Sequence, residues 1–317
     1  MLRSILIYLS QAAWARRLVM RLGFARRTAR RFVAGETVEE ALQAVRDLNA
    51  AGMLATLDLL GEHTNDPAAA HESTLQIRLL LKQIAESGLR TGISIKLTQI
   101  GLKLDEALCA QHLQEILEDA LRLGIFVRID MEESAVVDVT LRTYRQMRAA
   151  GFENVGVVIQ SYLYRSEDDV PLLLQEDARI RLVKGAYMEP PDRAFPLKAD
   201  VDAAFDRLAD FMLHASLSTD VDVHDGFWPP VAAIASHDDK RVDFAKRHAE
   251  EIGLPKVKLE FQMLYGIRRE MQKQLKEEGY PVRIYVPFGS EWYPYFMRRL
   301  AERPANLWFF LSSLFRG

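Results

Sequence analysis

Two patterns of apolar residues alternate along this chain. One is a short, nearly continuous Val/Ile/Leu run; in the other, apolar residues recur every three or four positions. The short runs are MLATLDLL (53–60), GISIKL (92–97), GIFVRIDM (124–131), VGVVIQ (155–160), ARIRLVKG (178–185), PPVAAIAS (229–236), KVKLEFQML (256–264) and VRIYVPFG (282–289). Between them lie amphipathic stretches such as VEEALQAVRDLNAAG, STLQIRLLLKQIAESG, EALCAQHLQEILEDALRLG, VVDVTLRTYRQMRAAG and VDFAKRHAEEIG. Many end at a glycine, where a helix can turn out of its last residue into the next strand. About eight strand–helix units, with strands apolar nearly throughout, predict a closed parallel barrel in one domain, residues 53–317. A doubly wound open sheet is the alternative. Against it, no strand-to-helix turn carries G-x-G-x-x-G, so a Rossmann dinucleotide site has no support.

Charge separates the start of the chain from the rest. Residues 1–35 hold eight arginines (Arg3, Arg16, Arg17, Arg21, Arg26, Arg27, Arg30, Arg31) and no acidic residue. With a net charge of −3 overall, the remainder carries −11. Residues 1–52 therefore read as a basic helical arm, whose opening apolar run is too short to span a bilayer. Such an arm either packs on the barrel or lies on an anionic membrane surface, and the sequence leaves both open. The balanced total charge argues against general nucleic-acid binding. The single cysteine, Cys109, excludes an internal disulfide, suggests a reducing, cytoplasmic setting, and falls in a helical pattern as buried filler.

In a parallel barrel the chemistry collects where the strands end. Those ends hold Asp58, Lys96, Asp130 followed by Glu132 and Glu133, Gln160, Arg181 with Lys184, His237, Gln262 and Tyr285. Buried charges cost free energy unless paired or used, so their recurrence around the ring points to an active site. Arg181-x-x-Lys184-Gly185-Ala186-Tyr187 places two cations and a permissive glycine at one strand end, which suits an anion. No H-E-x-x-H is present and His237 stands in a loop, so it is expected to be a hydrogen-bonding partner, with no metal site. Near the end, YPYFMRRLAERP (293–304) reads as a helix capped by Ser290 and stopped by Pro304. At helical spacing Tyr295, Arg298, Arg299 and Glu302 share one face, which taken alone reads first as a solvated face with internal ion pairs.

Taken in order, SIKL (94–97), RIDMEES (128–134), VVIQSYL (157–163), RLVKGAY (181–187), ASHD (235–238), EFQMLYG (260–266), RIYVPFG (283–289) and YFMRRLAERP resemble the proline dehydrogenase family. The resemblance is collinear from about residue 53 to the C-terminus, and the arm resembles that of short monofunctional bacterial members. It implies an α/β fold, a distorted (βα)8 TIM-type barrel with an N-terminal helical arm and FAD held non-covalently at the mouth. Around the flavin it implies Met131, Val158, Gln160, Arg181, Lys184, Gly185, Ala186, Tyr187, Ser236, His237, Gln262 and Leu264. Around the substrate it implies Lys96, Asp130, Leu264, Tyr285, Tyr295, Arg298, Arg299 and Glu302. Of these, Lys96, Asp130, Tyr285, Arg298, Arg299 and Glu302, with Arg181, are the expected catalytic group.

The implied reaction is oxidation of L-proline to Δ1-pyrroline-5-carboxylate. Electrons would pass to a quinone acceptor and the product to a separate pyrroline-5-carboxylate dehydrogenase. The arm would be a peripheral contact with the inner face of the cytoplasmic membrane. Residues 188–227 match no motif, so the contacts to the adenosine of FAD stay unassigned. Three other readings remain. One is oxidation of hydroxyproline or another cyclic amino acid. Another is a Schiff-base aldolase or pyridoxal-phosphate barrel built on Lys96 or Lys184, and the third is a non-catalytic membrane adaptor.

Overall fold

The structure is a computed structural model describing residues 12, 14, 15, 19, 27–61 and 64–302, with the side chains of Asp225, Ala301 and Glu302 left out. Eight parallel strands close into a barrel, each paired with its neighbours in chain order: β1 Leu54–Leu59, β2 Thr91–Ile95, β3 Val127–Ile129, β4 Val155–Gln160, β5 Ile180–Val183, β6 Ala232–Ala235, β7 Leu259–Leu264 and β8 Val282–Phe288. The ring closes where β8 pairs with β1, from Leu54 opposite Arg283 to Leu59 opposite Phe288. Closure removes the open doubly wound sheet from consideration. Helix α1 (Val38–Ala50) precedes β1, and α2 (Pro67–Ser87), α3 (Glu106–Arg122), α4 (Val137–Ala149), α5 (Ser166–Gln175), α6 (Lys198–Ser218), α7 (Asp239–Glu251), α8 (Arg269–Glu277) and α9 (Trp292–Glu302) follow β1 to β8 in turn.

Local signals explain most boundaries. Thr37 caps α1 in a reciprocal capping box with Glu40, Asp66 and Asp105 cap α2 and α3, and Gly88 ends α2 in a left-handed turn. The last helix opens at Trp292, one residue later than a Ser290 cap would place it. Pro304 lies outside the described residues.

The strands correct one expectation. They are not apolar throughout but alternate, with polar or small residues at most of the interleaved positions. Leu57, Ile93, Ile95, Val127, Ile129, Val157, Leu182, Ile234, Phe261, Ile284 and Val286 all join one buried core with the inward faces of the surrounding helices. Cys109 belongs to the same core; burial pushes its thiol up to about 12, consistent with filler rather than a nucleophile. The interleaved positions include Asp58, Ser94, Arg128, Arg181, Glu260, Gln262 and Arg283, all buried and turned to the barrel axis.

The two ends of the chain complete the architecture. Helix α1 packs on both β1 and β8, and its Ala41, Ala44 and Val45 enter the main core. It thus covers the seam that a helix following β8 would otherwise cover. Helix α9 instead forms a second, smaller cluster. There Trp292, Tyr293, Tyr295, Phe296, Met297 and Leu300 pack with Ala15, Ala29, Phe32, Val33 and Leu60. Leu60 lies just past the end of β1, so this cluster stands at the mouth. The arm is laced in by the Ala34 amide donating to Pro287 O (2.9 Å) and the Gly289 amide to Gly35 O (3.0 Å). Gly266 has φ +74°, and a Cβ there would lie 1.7 Å from Arg31 O. Only glycine lets the arm backbone approach this loop. Among the described residues, no helix is long and apolar enough to cross a membrane.

Candidate active site

Inside the barrel the buried polar residues bond to one another across the axis. Arg181 on β5 donates Nη1 to Ser94 Oγ on β2 (3.2 Å) and to Asp130 Oδ1 beyond β3 (2.9 Å), and donates Nε to Gln262 Oε1 on β7. None of these strands neighbours β5, so each bond crosses the interior. Below this level Arg283 donates to both carboxylate oxygens of Glu260 (2.9 and 3.0 Å), and Gln262 Nε2 donates to Glu260 Oε1. Ordinary barrels of this type fill these layers with branched aliphatics. Here a hydrogen-bonded column replaces them and fixes Arg181 from below.

Above Arg181, Asp130 collects three donors. Tyr285 Oη donates to its Oδ2 at 2.7 Å, Lys96 Nζ lies 3.5 Å from the same oxygen, and Arg181 holds Oδ1. Lys96 also donates to Asp58 at 3.1 and 3.3 Å. Burial raises the Asp58 carboxyl above its usual range, against the opposing pull of Lys96. Burial, reinforced by the Asp130 and Asp58 charges, raises Tyr285 well above the usual phenol value, so it stays a donor. The Arg181 guanidinium packs over the Tyr285 ring at 5.3 Å. Two cations, Lys96 and Arg181, thus face two carboxyl groups, Asp58 and Asp130, at the ends of separate strands.

Around this centre the mouth is built in sectors. Gln160, at the end of β4, donates Nε2 to Glu132 O (2.9 Å), and the Glu132 carboxylate accepts from the Thr98 amide (3.1 Å) and Thr98 Oγ1 (2.6 Å). Burial lifts Glu132 to about 7 despite those bonds. His237 accepts the Leu264 amide at Nε2 (3.0 Å), which assigns its neutral form a proton on Nδ1. Ser236 Oγ accepts the Asp238 amide at 3.1 Å. Met131 and Val158 are buried, whereas Lys184 to Tyr187 form a half-buried run on the rim, with Leu264 half-buried beside Tyr285.

The structure separates the two cations of that strand end. Arg181 turns to the axis, while Lys184 donates to Asp202 on α6 (2.5 Å) and Asp238 at the start of α7 (2.6 Å). Burial alone would raise Asp238, but the bond and charge from Lys184 hold it near 2. On α9, Tyr295 is buried, Arg298 and Arg299 are half-buried, and Arg299 stacks over the Tyr295 ring at 5.1 Å. The Glu302 side chain lies outside the described residues.

Sequence reasoning placed Asp58 and Glu132 among the strand-end groups without a specific role, and passed over Ser94, Asp202 and Asp238. Asp58, Ser94 and Asp238 had a readable signal, since each sits in a strand end or beside a motif residue. Asp202 had none: its α6 position meets Lys184 only through folding.

Fold and site together define a (βα)8-barrel enzyme with a charge-balanced, strand-borne cluster at its mouth, where helix α9 packs against the end of β1 and the arm. A family model for proline dehydrogenase matches residues 41–310. Proline dehydrogenase 1 of Bacillus subtilis (strain 168) is 41% identical over the full length of both chains, and proline dehydrogenase of Deinococcus radiodurans is 42% identical over 91% of this chain and 90% of its own. The crystal structure of proline utilization A (PutA) from Bdellovibrio bacteriovorus, inactivated by N-propargylglycine, superposes with a TM-score of 0.78 at 26% identity. It covers 88% of this chain, which spans about a third (33%) of that longer one. The chain belongs to the proline dehydrogenase family.

Proposed function

We propose that this chain oxidises L-proline to Δ1-pyrroline-5-carboxylate with FAD as its resident cofactor. The observation that carries the reading is the cluster of Lys96, Asp130, Arg181, Gln262 and Tyr285, gathered from five strand ends inside a chain of this family. The donor set fits a flavin. Arg181 and the amides of Gln160 and Gln262 are the kind of groups that meet ring carbonyls and nitrogens, and the half-buried run from Lys184 to Tyr187 offers a rim. Gly185 has φ +115°, and a Cβ there would lie 2.3 Å from the Tyr162 ring, so only glycine seats this rim against the barrel. Met131, Val158, Ser236, His237 and Leu264 would enclose the same group. When bound, FAD supplies the acceptor for the two electrons that leave C5 of proline.

The protein's part is binding, orientation and charge. Arg298 and Arg299 would take the substrate carboxylate by charge-assisted bonds, with Tyr295 stiffening Arg299 from behind and Glu302 holding the arginine pair. Tyr285 and Leu264 would pack the ring. The charges of Asp58, Lys96, Asp130 and Arg181 cancel, so this cluster offers no unpaired carboxylate to hold proline as an ammonium. That favours the neutral amine, whose lone pair assists loss of the C5 hydrogen and becomes part of the new C=N bond. Lys96, held as a cation between Asp130 and Asp58, would disfavour a second ammonium beside it, so the amine proton would leave to solvent. Electrons then go to a quinone-type acceptor, with the basic arm of residues 1–52 as the membrane-facing element, and the product to a separate dehydrogenase.

A visible spectrum of the purified protein before and after anaerobic L-proline tests this. Flavin absorbance that bleaches on addition is expected. A flavin spectrum that persists with L-proline but bleaches with hydroxyproline would replace the substrate, and protein that takes up no FAD would remove the cofactor assignment.

A further inference from the structure

On the outer flank of the barrel, away from the mouth, three side chains converge between α6 and α7. Asp210 and His214 stand four residues apart on α6 and therefore share a face. His248 meets them from α7, and one donor atom of each residue lies within 4.8 Å of the others. His214 Nε2 is 3.5 Å from Asp210 Oδ1. His248 Nε2 lies against the same oxygen, yet without the alignment of a hydrogen bond.

The His248 ring is itself held in place. It stacks on Phe244 (centroids 5.7 Å, planes 17° apart), abuts His214 edge-on (5.5 Å), and its Nδ1 lies 3.3 Å from Glu251 Oε2. A carboxylate behind the far ring nitrogen is what orients a metal-ligating imidazole: it fixes the proton on Nδ1 and leaves the Nε2 lone pair pointing outward. Two ordinary surface ion pairs to Asp210 would need neither Glu251 behind the ring nor Phe244 beneath it. His214 and Asp210 are partly exposed, at 56% and 38%, so water can complete a coordination shell.

We propose that Asp210, His214 and His248 bind a divalent metal ion, with Glu251 orienting His248. Two imidazoles and one carboxylate form an N2O set that suits zinc, nickel or cobalt, whereas calcium and magnesium demand oxygen ligands. Bonds of about 2.0–2.1 Å set ligand atoms roughly 3.3 Å apart at the corners of a tetrahedron, so rotation of the exposed His214 side chain reaches it. The ion ties α6 to α7. These are the helices whose N-terminal ends carry Asp202 and the N-cap Asp238, the two carboxylates that hold Lys184 at the mouth. The site is a strap between them, not part of the reaction.

The test is equilibrium dialysis of tag-free, FAD-loaded, full-length protein against zinc chloride, with metal counted per chain by elemental analysis. The parent is expected to take one zinc per chain at micromolar free metal. The double variant His214→Ala/His248→Ala should bind it at least about tenfold more weakly, with flavin content and proline turnover unchanged. Should the double variant fold poorly, His214→Ala alone removes only an exposed ring and is expected to weaken binding in the same direction. Zinc uptake by the variants equal to that of the parent would place the metal elsewhere. The His71–His112 pair, of which only His112 is buried, is one such place (centroids 5.7 Å). That outcome, or no uptake by the parent below millimolar zinc, overturns the proposal.

Discussion

The two halves of the mouth are held by different means. The strand-borne half, Asp58, Lys96, Asp130, Arg181, Gln262 and Tyr285, is a closed set of hydrogen bonds and ion pairs rooted in the backbone ladders of a complete barrel. The helical half, Tyr295, Arg298 and Arg299, rides on α9, whose anchor is a small cluster shared with the arm through Phe32, Val33 and Leu60. Each side chain of the first half has a hydrogen-bond or ion-pair partner from another strand. The second is positioned largely by apolar packing, such as Phe32 against Phe296 at 6.2 Å, together with the Trp292 Nε1–H bond to Glu36 (3.0 Å). Chemistry that needs fixed charges belongs on the first half, and the part that must admit and release a substrate belongs on the second.

The largest effect is expected from Asp130→Ala. It strips the shared partner from Lys96, Arg181 and Tyr285, and leaving buried charges without their partner costs about 3–5 kcal/mol. Denaturant unfolding should show that loss and kcat/KM for proline should fall at least about a hundredfold, roughly the 2.7 kcal/mol of two factors of ten. A stable, active variant would mean that the cluster is ornamental. Arg298→Met on the other half should leave stability and flavin content intact. It should raise KM for proline by about 10- to 100-fold, as loss of a charged hydrogen bond of roughly 1.5–3 kcal/mol predicts. Normal proline kinetics would dissolve the proposed clamp.

Phe296→Ala sharpens the contrast further. It should disturb α9 and its arm contacts, raising KM while the flavin stays bound, because the strand cluster does not depend on it. Flavin loss in that variant would show that the two halves are one unit.

The smallest effect is a pH slope from Glu132. Unfolded, this carboxyl titrates near 4.5, and folded near 7. Between those values the folded chain keeps a proton that the unfolded chain has released, so its contribution to stability is present below about 4.5 and lost as pH rises through 7. Glu132→Gln should flatten the slope of unfolding free energy in that window, and an unchanged slope would place Glu132 outside it.

The order of the strands, the boundaries of most helices and the strand-end chemistry were legible because they depend on neighbours in sequence. Apolar runs, caps at Thr37, Asp66 and Asp105, and polar residues two or three places past an Ile or Val all follow from local spacing. The inward column of Ser94, Arg181, Glu260, Gln262 and Arg283 was half legible. Its period-two alternation stood in the runs, but the abundance of Val, Ile and Leu reads as strands apolar on both faces.

Only tertiary structure could decide the rest. Whether α1 or a later helix covers the β8–β1 seam, and whether the arm packs under α9, turn on contacts between the two ends of the chain. That Arg181 and Lys184, three residues apart, turn to opposite sides depends on which carboxylates come within reach: Asp130 from β3, Asp202 from α6. A charge finds its partner by distance in space, and that distance exists only once the ring has closed.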